Sequence, residues 1–319
     1  MRYTLPRELG VIIALSLIVL GVSFWQHDFL TQANLHLLMR QWAQPALVAS
    51  GMTLVITTGG IDLSVGSVLG LSAMMMGVVS LHTNGNIPLS CLAALATGLA
   101  CGLVNGLLIG YGKLPPILVT LASFAAARAG ATLLYHGSSI SSLPGALNDT
   151  VERVLVAGFP MLFWVGLLAL IIASILLRHT TFGRNILAIG GSRVTSSLSG
   201  VSISFVETLV YTLSGLCAGG AAIINVALKA TATPDAGQYL ELRVITAVVL
   251  GGTAISGGKA TLFGTGLGVL TMLILLSGAR LAGQEDRTAW FLVGIALLIA
   301  VEAQRALQKR ENVDVAPAQ

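Results

Sequence analysis

The sequence predicts an all-α, polytopic integral membrane protein with about ten transmembrane helices and both termini in the cytoplasm (N-in, C-in). Three observations carry that expectation. Of 319 residues, 55% are apolar and only 9% charged, and the mean hydropathy is +0.88, whereas soluble domains run at roughly a quarter charged. The apolar residues come in runs of about 17 to 25, the length that crosses a bilayer. Lys and Arg are spread unevenly over the loops between those runs.

Taken in order, the expected spans are Leu9 to Trp25, Trp42 to Thr58, Leu63 to Leu81, Pro88 to Tyr111, Ile117 to His136, Gly158 to Leu177, Phe205 to Ala227, Val244 to Ser256, Ala260 to Leu281 and Ala289 to Leu307. The second and eighth are short. The first is expected to be retained rather than cleaved, because no A-x-A-like site follows before Trp25 and His27. Residues 1–319 then form one transmembrane domain, with a cytoplasmic loop at 178–204 and a flexible C-terminal tail at 308–319.

The orientation comes from the basic residues. With both ends inside, the cytoplasmic side carries Arg2, Arg7, Lys113, Arg178, Arg184, Arg193, Lys259, Arg305, Lys309 and Arg310. The outer side carries Arg40, Arg153, Lys229, Arg243, Arg280 and Arg287. The excess lies inside, as the positive-inside rule requires. These charges are explained by topology, and a net charge of only +4 calls for no nucleic-acid partner. Cys91, Cys101 and Cys217 fall inside apolar spans without C-x-x-C or Cys/His ligand spacing, so they read as packing residues and no metal site is expected.

Glycine is patterned. Gly98, Gly102, Gly106 and Gly110 fall four apart on one span, and Gly66/Gly70, Gly215/Gly219 and Gly264/Gly268 repeat that spacing. Such stripes let helix backbones approach closely in lipid. Packing within one subunit is the preferred reading over a dimer seam.

Two segments interrupt the helical pattern at membrane depth: Gly59-Gly60-Ile61-Asp62-Leu63-Ser64-Val65-Gly66 and Gly251-Gly252-Thr253-Ala254-Ile255-Ser256-Gly257-Gly258. In register, Gly59 faces Gly251, Gly60 faces Gly252, Ser64 faces Ser256 and Gly66 faces Gly258. Paired breaks in two halves of a membrane protein point to a transport path or gate, since irregular backbone is tolerated only against protein or water. Asp62 either caps the amides of Val65 or Gly66 or lines the path, paired with Arg128. Arg128, the basic residue well inside a span, must face protein, water or a carboxylate, as an ion pair or a solute contact. Asn105, Asn225 and Gln238 are further polar candidates, for helix contacts or for the path.

The chain carries no energy source of its own. Gly252 to Lys259 misplaces the first Gly of a phosphate loop, and Ala260 stands where a magnesium-binding Ser or Thr belongs. Only Asp62, Glu207 and Glu302 approach membrane depth, a thin set for ion coupling. Attention returns to Arg178 to Ser204, the longest polar interruption. There Gly183 and Gly190-Gly191 are expected to make sharp turns around Asn185 to Ile189, and Ser192 to cap a short helix ending near Ser199 and Gly200. An ordinary solvated loop is the alternative.

GGIDLSVGSVLGL at 59–71, GLVNGLLIGYGKLPPILVTL at 102–121, HTTFGRNILAIGGS at 179–192, LSG at 198–200 and AVVLGGTAISGG at 247–258 resemble the permease subunits of bacterial ATP-binding-cassette sugar importers, the ribose, xylose, arabinose, rhamnose and autoinducer-2 group. The resemblance runs from about Trp42 to Leu298. It implies a multi-pass protein of the bacterial cytoplasmic (inner) membrane, not an enzyme, that moves a monosaccharide or related small polar solute inward by alternating access. It implies three partners besides the lipid bilayer: a cytoplasmic ATPase, a periplasmic or extracellular sugar-binding protein, and a second permease in a homodimer or heterodimer. No cofactor is expected on this chain, with ATP and magnesium held by the ATPase. The segment containing Phe182, Gly183, Arg184, Gly190, Gly191, Ser192, Arg193 and Gly200 corresponds to the coupling element. Asp62, Ser64, Asn105, Arg128 and Asn225 remain candidates for path or gate, and Gly59, Gly60, Gly66, Gly251, Gly252, Gly257 and Gly258 for the broken helices. The chain departs from the family pattern at Ser192 to Ser197, which lack the usual acidic pair, at Arg243, where Asp is common, and at Ala122 and Ala129, where Gly is common. An ion-coupled secondary transporter is the alternative function.

Overall fold

A computed structural model describes residues 8–141 and 155–283, with isolated helical positions at Phe291, Gly294, Ile295, Leu298 and Glu302. In chain order the helices are α1 (Glu8–Trp25), α2 (Gln32–Thr57), α3 (Val65–His82), α4 (Ile87–Gly110), α5 (Pro116–Leu133), α6 (Met161–His179), α7 (Thr181–Gly191), α8 (Arg193–Leu198), α9 (Ile203–Lys229), α10 (Leu240–Leu250) and α11 (Leu262–Leu281). A 3-10 turn at His27–Leu30 precedes α2, and a two-stranded hairpin, Leu155–Val156 with Phe159–Pro160, precedes α6.

Local chemistry sets the helix starts. Thr31 accepts from the Asn34 amide at the head of α2, Asn86 from Leu89 at α4, and Thr261 from Gly264 at α11. Each satisfies one of the orphan donors of a first turn. Proline opens α4 and α5, where its missing N–H costs nothing.

Among the described residues, six helices are long and apolar enough to span a membrane: α3, α4, α5, α6, α9 and α11. Helices α3 and α9 are largely buried, whereas α4, α5 and α6 leave apolar side chains such as Leu118, Leu168 and Ile172 exposed. That division puts α3 and α9 inside the bundle and the others against lipid. The described residues therefore show a polytopic bundle and not the full count of ten. The second expected span is the C-terminal part of the 26-residue α2, whose start is disguised by Arg40, Gln41 and Gln44. The tenth span and the 308–319 tail lie outside the described residues.

The eighth expected span, Val244 to Ser256, is corrected most. Helix α10 has 11 residues and ends at Leu250. The missing length is made up by an irregular run of turns, in which the Ala236, Gln238 and Leu240 amides donate to the Thr233, Asp235 and Gly237 carbonyls. Ala232 pairs with Ile140 in an antiparallel bridge and lies against Gly77, Pro234 and Ala236 carbonyls lie against Gly70, and the Gly237 carbonyl lies against Gly66. Residues 232–237 thus run back along α3 from Gly77 to Gly66, about 16 Å at the helical rise. α10 adds about 16 Å more, so irregular chain and short helix together match a hydrocarbon core of about 30 Å. Irregular backbone at this depth is covered by protein, as lipid demands.

The glycine stripe of α4 faces α9. Cβ atoms at Gly98, Gly102, Gly106 and Gly110 would collide with the carbonyl oxygens of Gly215, Tyr211, Thr208 and Ser204. Thr208 Oγ1 donates across the seam to the Gly106 carbonyl at 3.0 Å. This is packing within one subunit, as expected.

Candidate functional site

Both broken segments begin with the same helix ending. At the end of α2 the Gly60 amide donates to the Val55 carbonyl (3.2 Å) and Gly59 to Ile56 (2.9 Å). At the end of α10, Thr253 donates to Val248 (3.2 Å) and Gly252 to Val249 (3.0 Å). These are Schellman endings, with Gly59 (φ 85°) and Gly252 (φ 93°) in the left-handed position that glycine occupies without strain. The expected register is therefore off by one: Gly59 matches Gly252, and Gly60 matches Thr253. Ser64/Ser256 and Gly66/Gly258 do not correspond either, because the break spans 58–64 in one case and 251–261 in the other. Gly66 already lies in α3, while Gly257 and Gly258 have φ of 86° and 76° within the second break.

Asp62 is buried in the first break, 1% exposed. Its Oδ1 accepts from the Ser64 amide (3.0 Å) and hydroxyl (2.6 Å), and its Oδ2 from the Ser214 hydroxyl of α9 (2.8 Å). Ser64 Oγ accepts from Asn105 Nδ2 of α4 at 3.0 Å, and Asn105 Oδ1 accepts from Ser123 of α5. Thr120 of α5 also donates to the Ile61 carbonyl at 3.3 Å. A single chain of polar contacts thus fastens the break to α4, α5 and α9. The expectation that Asp62 caps Val65 or Gly66 fails: α3 starts one residue after Ser64, and the carboxylate turns back to Ser64 itself. Pairing with Arg128 fails too. Ser123 and Ser214 escaped sequence reasoning, since small hydroxyls in apolar spans carry no pattern of their own.

Arg128 instead donates from Nη1 to the carbonyls of Pro234 (2.6 Å) and Ala236 (3.1 Å), with Glu241 and Asp235 supplying opposing charge. The half-buried cation holds the 232–237 segment against α3. Asn225 of α9 donates to Gln44 Oε1 of α2 at 3.2 Å.

The 178–204 segment is helical rather than looped. Gly183, Gly190 and Gly191 all lie within α7, so the sharp turns expected there are absent. What Gly190 provides is proximity: a Cβ would collide with the Thr57 carbonyl and the Gly258 amide, which hydrogen-bond each other at 2.9 Å. Gly183 packs on the Leu176 and Leu177 carbonyls in the same way. Phe182 packs partly buried against the core, and Arg184 is exposed. Ser192 does cap α8, accepting from the Thr195 amide at 3.3 Å, and Gly200 ends the turn after it with φ 81°. Arg193 Nη2 meets the buried Glu207 Oε1 of α9 at 2.6 Å. Val194 and Leu198 stand 72% and 85% exposed, an apolar pair without cover from the described residues.

Two helix breaks joined at the backbone, a buried polar chain and a short helix seated on both breaks define a multi-pass membrane transport subunit. Residues 34–301 match the family described as branched-chain amino acid transport system / permease component. The chain is 38% identical over 302 residues to the ribose import permease protein RbsC of Bacillus subtilis strain 168, covering 94% of this chain and 93% of that one. Its identity to RbsC of Escherichia coli strain K12 is 36% over 297 residues, 91% of each chain. It is also 32% identical over 310 residues to the autoinducer 2 import system permease protein LsrD of Photorhabdus luminescens, covering 94% and 91%. No solved structure matches it significantly. The chain belongs to this family of import-system permease components. It is a transport subunit rather than an enzyme, a multi-pass protein of the inner membrane whose class works with an ATPase and a binding protein.

Proposed function

We propose that this permease carries a monosaccharide or related small polar solute inward by alternating access, driven by ATP hydrolysis on a separate chain. Its relatives import ribose, fructose and autoinducer 2, compact polar solutes of one size class. A periplasmic binding protein delivers the solute, a second permease copy or sister completes the pathway, and ATP and magnesium stay on the ATPase. Both termini and the 178–204 segment face the cytoplasm, where α7 and α8 form the coupling element. Arg193 and the exposed Val194 and Leu198 present its surface to the ATPase. Asp62 and its polar chain act as the latch of the first break.

The observation that carries this reading is the seat of Gly190 on the Thr57–Gly258 hydrogen bond. Any displacement of α7 is felt at both breaks at once. Proteoliposomes containing this chain, the ATPase and the binding protein are expected to accumulate solute only when all three and ATP are present. Accumulation by this chain alone under an ion gradient would overturn the proposal in favour of secondary transport.

A further inference from the structure

A cavity of about 590 Å³ opens between α2, α9, α10 and α11, within the size range of small-molecule sites. Its shape follows from the re-entrant segment, since the irregular chain at 232–237 leaves the first turn of α10 at mid-membrane instead of at a surface. Gln238, Tyr239 and Leu240 of that turn line the cavity, and Tyr239, in a left-handed conformation at the N-cap, gives the turn no side-chain hydrogen bond. The positive end of a helix therefore borders the space. Asn225 and Gln44 line it from α9 and α2. Asn225 is only 5% exposed, its Nδ2 is spent on Gln44, and its Oδ1 has no hydrogen-bond partner. A buried acceptor left so costs about 1–3 kcal/mol unless something donates to it.

We infer that this cavity is where the solute rests during passage, and that it takes a small polyhydroxylated molecule, one hydroxyl donating to Asn225 Oδ1 while others face the α10 terminus. Asp235 supplies a further acceptor to the same lining, and Lys229, Arg243 and Arg280 supply donors. A hydroxyl, which both donates and accepts, fits both. Lys229 and Arg280 reach the cavity from the last turns of α9 and α11.

This assignment rests on the permease reading, and the two fail differently. The complete importer is reconstituted and tested with radiolabelled pentoses, hexoses and short polyols. Asn225→Ala is expected to lower uptake about tenfold, one hydrogen bond's worth, while ATP hydrolysis stimulated by loaded binding protein stays within about twofold of normal. Should Asn225→Ala fail to assemble, Gln44→Ala tests the same site, with an expected loss of about threefold in uptake alone. Unchanged uptake in these variants, or uptake and stimulated hydrolysis falling together, would overturn the site. A wild-type complex that moves none of the probes would overturn the sugar-permease reading beneath it.

Discussion

Asp62 shares its two oxygens between Ser64, one turn-forming neighbour, and Ser214 on a distant helix. Removing the carboxylate strands three buried donors at once. Asp62→Ala is accordingly expected to lower stability by about 3 kcal/mol, whereas Asp62→Asn keeps an acceptor for Ser64 and lets the Ser214 hydroxyl rotate to accept, for a loss of about 1 kcal/mol. Thermal unfolding in detergent checks this, and equal midpoints for the two variants would contradict the assigned contacts. Much of this cluster was legible: Asp62, Ser64 and Asn105 stood out as polar groups in apolar surroundings. Their partners were not, because Ser123 and Ser214 differ from packing residues only by where a hydroxyl points, and that is decided by helices distant in sequence. Arg128 was legible as a cation needing cover. That its cover would be two backbone carbonyls was not, since carbonyls are present at every position and only the fold selects among them.

Among the elements, α7 most changes its meaning between sequence and structure. A run punctuated by Gly183, Gly190 and Gly191 reads as turns, yet Thr180 accepts from the Gly183 amide at 3.0 Å and starts a continuous helix. Glycine costs a helix about 1 kcal/mol, which close backbone contact offsets here. Gly190→Val is expected to push α7 off both breaks, cutting ATP-driven uptake about tenfold or more by overpacking worth about 1–3 kcal/mol, with membrane insertion intact. Uptake assays beside surface expression decide it; normal coupled uptake would show that α7 does not need its seat. The shifted register of the two breaks has a similar origin. Gly-Gly pairs are visible as letters, but which glycine takes the left-handed position depends on where the preceding helix stops. The re-entrant segment was illegible for a different reason. Its residues are small and mixed, and it gains its place from α3 glycines far upstream.

At the scale of the molecule, the composition announced a membrane bundle, and the α4 stripe correctly announced packing inside one subunit. Orientation was inferred from charge alone. In a cysteine-depleted chain, Val194→Cys is expected to react with an impermeant maleimide only in inverted vesicles, and Lys229→Cys only in right-side-out ones. The reverse pattern would turn the molecule over. Span boundaries were the least legible property, because a hydropathy window averages α10 with the break that follows it and passes over the polar start of α2.

Helix α9 bears three contacts described separately above: Glu207 on Arg193, Ser214 on Asp62, and Asn225 on the cavity beside Gln44. From the first to the last is about 27 Å of one helix, stiffened along its length by the glycine seam with α4. Such a helix is a lever. With its fulcrum near Glu207, a tilt of about 5° carries Asn225 through roughly 2 Å, nearly the length of a hydrogen bond. A swing so small that no loop need refold would be enough to let go of a solute.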